Sequence, residues 1–101
     1  MSARIAFLES EIRAIQAEIA RKGVLLRQAE DALRVIEEEI QRIPAENTRE
    51  RGEATRRARQ ADRDREYALG REFESKQHLL VMQDMMRRAR LRESEEQGGG
   101  R

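Results

Sequence analysis

The side chains able to do chemistry are few and scattered. His78 is the single histidine. With Glu74 one helical turn earlier it offers two donors, whereas a zinc site takes three or four ligands. Cysteine is absent, so neither disulfides nor thiolate metal sites arise, and the redox compartment is left open. The acidic runs Glu37-Glu38-Glu39 and Asp62/Asp64/Glu66 read as solvated faces. Ser10, Ser75 and Ser94 have no base beside them, and Gly98-Gly99-Gly100 precedes no helix and so makes no phosphate-binding loop. A general base also needs a concave pocket and a positioned partner, which a thin helical rod does not offer. The expectation is a chain with no catalytic residues, no cofactor and no metal.

The remaining chemical candidate is basic. The segment Arg49 to Glu66 holds seven arginines and five acids, a net +2, with no aromatic residue to stack on bases. Arg56, Arg59 and Arg63 share one helical face and are the candidate nucleic-acid contacts. Of the 21 basic residues only Lys22 and Lys76 are lysine. Arginine forks onto phosphate, although a GC-rich genome produces the same bias. With 20 acids the chain carries a net charge of +1, which points to no strongly charged principal partner.

What would position these residues is helical. Ile5, Ile12, Ile19, Leu26, Leu33 and Ile40 form one row, and Leu8, Ile15, Ala29, Ile36 and Ile43 form another, interrupted only at Lys22. These are the a and d positions of a heptad repeat in continuous register, the pattern of a helix packed lengthwise on another. Composition agrees: 41% of the 101 residues are charged and 3% aromatic, as in long helices and coiled coils. No apolar run approaches the roughly 20 residues of a membrane span. Arg4, Glu9 and Glu11 interrupt any signal-peptide core. The expected setting is therefore the cytoplasm, or a particle assembled there.

The spacing predicts two helices, over about 3–43 and 48–95, with Ser2 as the first N-cap. Pro44 ends the first helix, and Asn47 with Glu50 opens the second in a loose capping-box pattern. So short a connection makes the helices antiparallel neighbours. The fold class is all-α: a long antiparallel helical hairpin or coiled coil, expected to oligomerise, with one domain over 1–95 and a disordered Gly-rich tail over 96–101.

In the second helix Ala58, Leu69 and Leu80 recur every eleven residues, which suggests a drifting stripe rather than strict heptads. Folding the chain at Pro44 to Asn47 would pair residues whose numbers sum to about 91, setting Leu33 by Ala58, Ile19 by Phe73 and Ile5 by Met86. The expected seam is Ile5, Leu8, Ile12, Ile15, Ile19, Leu26, Leu33, Ile36 and Ile40 against Leu69, Phe73 and Leu80. Apolar residues beyond that seam ask for further neighbours. Leu25, Val35, Leu79, Val81, Met82, Met85 and Met86 are thus the expected contacts between chains.

Function reads as a mode of action: a structural or assembly protein of a multi-subunit particle, such as a virion or secretion apparatus. It would act through coiled-coil self-association or docking on a larger partner. In general shape the expected hairpin resembles the helical stalk proteins of the flagellar and type III export ATPases, a likeness of topology alone. An Arg-rich module binding nucleic acid and a parallel homodimeric rod are the alternatives.

Overall fold

The structure, a computed structural model, describes residues 2–99, with side chains through 98. Among the described residues it is entirely helix and turn. Helix α1 spans Ala3–Arg42 and α2 spans Thr48–Gly99, 40 and 52 residues long.

Local chemistry sets each boundary. Ser2 Oγ accepts the Ile5 N–H at 3.1 Å, which satisfies one of the donors a first turn leaves unpaired. At the other end of α1 the Ile43 N–H bonds Ile40 O at 3.2 Å, a tightened last turn. Pro44 halts propagation, and its carbonyl accepts the Asn47 N–H at 3.0 Å. Asn47 O then accepts the Arg51 N–H at 3.1 Å and opens α2. Asn47 Nδ2 donates to Glu50 Oε2 at 2.6 Å, so this pair bonds side chain to side chain rather than through a reciprocal capping box. Arg51 Nη1 reaches back to Ile43 O at 2.7 Å, giving a terminal carbonyl of α1 the partner its own helix lacks. The chain therefore reverses at its lone proline.

The expected tail is corrected in part. Helix α2 continues four residues beyond Glu95 to Gly99, because Glu96 and Gln97 are good helix formers and no breaker intervenes before the glycines. Gly100 and Arg101 lie outside the described residues.

By packing, the chain divides into two units: residues 1–20 with 73–101, and residues 21–72. In the first, which holds both termini, Ile5, Leu8 and Ile15 of α1 pack with Met82, Met86 and Ala89 of α2. Ile12, Ile19 and Leu79 extend that core, and Ser75 is buried beside it with a polar partner of its own. Glu9 Oε1 accepts from Arg90 Nη2 at 3.2 Å along its edge.

In the second unit, which contains the turn, the α2 side of the seam is mainly alanine, joined by half-buried Arg65 and Glu72. Ala54 and Ala61 are buried, Ala58 and Ala68 half-buried, while α1 contributes half-buried Leu26, Leu33, Ile36 and Ile40. Arg57 Nη2 crosses to Glu39 Oε2 at 3.4 Å. A Cβ on Gly23 would meet Glu72 Oε2 at 3.2 Å, so the bare backbone there admits the Glu72 carboxylate closely.

These contacts correct the register and the α2 seam. Around the turn the cross-helix neighbours have numbers summing to 94–96, since the reversal centres near Asn47 rather than midway between Pro44 and Asn47. The inner positions of α2 are 54, 58, 61, 65, 68 and 72 in the turn unit, and 75, 79, 82, 86, 89 and 93 in the terminal unit. Each set alternates steps of four and three, which is a strict heptad and not an eleven-residue drift. Leu69, Phe73 and Leu80 each fall one position past an inner residue and are exposed, Leu80 at 58%.

Two exposed glycines interrupt α2 without structural need. Gly52 and Gly70 have nothing within 4 Å of an added Cβ, and no glycine described has positive φ. Gly52→Ala and Gly70→Ala are each expected to raise stability by about 0.5–1 kcal/mol. Urea midpoints followed by circular dichroism check this; an unchanged or lowered midpoint contradicts the geometry.

Candidate functional site

The expected seam and contact residues sort cleanly by placement. Of the α1 seam, Ile5, Leu8 and Ile15 are buried and Ile12, Ile19, Leu26, Leu33, Ile36 and Ile40 half-buried. Of the residues expected to touch other chains, Leu25, Val35, Val81 and Met85 are exposed. Leu79, Met82 and Met86 are not: they belong to the intrachain core of the terminal unit. A helical run apolar all round must bury one side, and the strict heptad assigns that side to 79, 82 and 86. Exposed apolar residues that periodicity did not single out for contact are Phe7, Val24, Tyr67 and Leu91.

Charge around the Met-rich stretch is arranged locally. Asp84 pairs with Arg87 and, at 3.0 Å, with Arg88, while Arg90 is held by Glu9. Arg87, Arg88 and Arg90 are thus tied to carboxylates of both helices. In the turn unit Asp62 Oδ1 accepts from Arg65 Nη2 at 2.9 Å. That hydrogen bond, reinforced by the Asp62 charge, raises the Arg65 pKa still further. Glu53 is engaged at 3.5 Å by Arg49 of its own helix, while Arg57 reaches across to Glu39.

A concave feature with a largely apolar lining lies in the turn unit. Lys22, Leu25 and Ala29 of α1 and Asp64, Tyr67, Ala68 and Arg71 of α2 enclose a cleft of about 370 Å³. Its floor is low because Ala29 and Ala68 bring only methyl groups. Leu25 and Tyr67, exposed by 58% and 68%, stand at its sides. Arg71 Nη1 donates to Tyr67 Oη at 3.1 Å, with the guanidinium carbon 5.8 Å from the ring centroid. Gln60 Nε2 donates to Asp64 Oδ1 at 3.0 Å. The lining is mainly apolar; of its three charged members, Lys22, Asp64 and Arg71, the last two are each held by a neutral neighbour.

No family model, curated protein or solved structure matches the chain.

The cleft was missed at the level of sequence because Ala29 and Ala68 advertise nothing alone. The usable signal was Leu25 off the seam together with Tyr67, the sole tyrosine of the chain. Arg56, Arg59 and Arg63 are exposed along α2. His78 and Glu74 are also exposed, and among the described residues no three His, Asp or Glu side chains gather as a metal site would require. No described helix is long and apolar enough to cross a membrane.

Proposed function

We propose that the chain is a non-enzymatic structural or assembly protein. It works by self-association or docking on a larger partner within a multi-subunit particle such as a virion or secretion apparatus. The observation that carries this is the apolar surface left over once the hairpin has closed: Phe7, Leu25, Val35, Phe73, Leu80, Val81 and Leu91 are all exposed. Single exposed apolar residues are ordinary, but side chains of this size in a highly charged chain favour burial by a neighbour. Helical hairpins meet that need by pairing into bundles.

Sedimentation velocity over a concentration series tests the reading. Wild type should associate, and a variant with aspartate at Leu25, Val35, Leu80 and Val81 together should stay monomeric with unchanged helix content. A wild type that sediments as a monomer throughout and acquires no companion from its own cell extract defeats the proposal.

Nucleic-acid binding is the second reading, favoured by the outward display of Arg56, Arg59 and Arg63. If those three contact duplex phosphates, log–log plots of affinity against salt should have a slope of about −2.7, lost on replacing all three by glutamine. A flat salt response removes this reading.

A further inference from the structure

We propose that the Leu25–Tyr67 cleft is a two-fold interface with a second copy of this chain, resting on the assembly role above. A two-fold contact uses the same patch on both molecules, so the patch must complement itself in shape and charge. This patch carries both halves of each requirement. Leu25 is a knob exposed by 58%, and beside it Ala29 and Ala68 leave a hollow of about 370 Å³ open to solvent. Asp64 and Arg71 supply opposite charges two helical turns apart on the same helix. Asp64 accepts from the Gln60 amide and Arg71 donates to the Tyr67 hydroxyl, both neutral partners.

Turned by a half rotation onto its twin, the patch sets Leu25 of each copy over Ala29 and Ala68 of the other. Asp64 of each copy then comes to Arg71 of the other, twice over. Tyr67, stiffened by its bond to Arg71, presents a large ring with little rotamer freedom to lose, as interface aromatics do. The product is a four-helix layer formed from two hairpins. A small apolar ligand is the competing occupant, but a cleft open along its length would leave such a molecule wet on one side.

Charge reversal and its rescue decide the matter in the full-length chain by sedimentation equilibrium, with circular dichroism confirming equal helix content. Leu25→Asp should weaken the dimer about thirtyfold or more, the loss expected of a central anchor. Asp64→Arg and Arg71→Asp alone should each weaken it about tenfold, because like charges then face across the axis. Combined, Asp64→Arg with Arg71→Asp should restore affinity to within about threefold of wild type, since the swapped pair again meets its opposite. Association that survives Leu25→Asp overturns this interface while leaving assembly through other surfaces intact. A double variant no tighter than the singles also overturns it. A wild type monomeric at every concentration overturns the two-fold contact, and docking on a different partner would then be judged by the extract experiment alone.

Discussion

In the dissociated, monomeric hairpin, Leu8→Ala is expected to lower the unfolding free energy by about 3 kcal/mol, while Leu80→Ala changes it by less than about 0.5 kcal/mol. Both substitutions remove the same atoms from leucines in long helices, and both positions belong to the apolar pattern visible in the sequence. They differ in what surrounds them. Leu8 is 2% exposed, at the centre of a cluster with Ile5, Ile15, Met82, Met86 and Ala89. Leu80 is 58% exposed, one position past the inner residue Leu79. Truncating Leu8 removes its transfer free energy and leaves a void that two rigid helices close only in part. The loss is large relative to the whole, since a small domain has a total stability of roughly 5–10 kcal/mol. Urea denaturation followed by circular dichroism gives both values. Equal costs at the two positions would mean that the α2 seam runs through Leu69, Phe73 and Leu80 after all.

Ala54→Leu should destabilise the hairpin by about 2 kcal/mol, against the direction that simple heptad reasoning suggests. By pattern alone an alanine on the inner row is a weak core residue, and leucine there would add buried apolar surface. The structure gives the opposite sign. Ala54 is 0% exposed, and Ala58, Ala61 and Ala68 continue the same row, opposite the larger aliphatic side chains of α1. Small residues on one helix let the other come close, so the space for extra methylenes is already filled. A leucine must push the helices apart or adopt a strained rotamer. Thermal unfolding of Ala54→Leu beside the exposed control Glu53→Leu reads the effect: the first should melt well below wild type and the second near it. A raised melting temperature for Ala54→Leu would show that the alanine row is loosely packed.

Legibility was uneven for a physical reason. Large aliphatic residues announce a buried face, so the α1 seam from Ile5 to Ile40 could be read from spacing alone. Helix α2 uses small and polar residues on its inner row, Ala54, Ala58, Ala61, Ala68 and Ser75, and sets Leu69, Phe73 and Leu80 beside it. A search for big apolar side chains therefore follows the wrong row by one position. The same one-position error assigned Leu79, Met82 and Met86 to the outer surface. Lys22 was visible as a break in α1. Glu72 was legible as a carboxylate that the hairpin brings near Lys22, but its close approach to the bare backbone of Gly23, at 3.2 Å from a would-be Cβ, was not.

By itself the amino-acid order determined two helices, a reversal at Pro44, and an α1 stripe bound to meet a partner helix, because propensity, proline geometry and heptad spacing act within one or two turns. The tertiary structure decided which face of α2 answers that stripe, how far the pairing is offset, and where Ala29 and Ala68 open a cleft. Those outcomes depend on which residues come level across the turn. A shift of a few positions in register exchanges buried for exposed along the second helix, and nothing local to that helix selects among the choices.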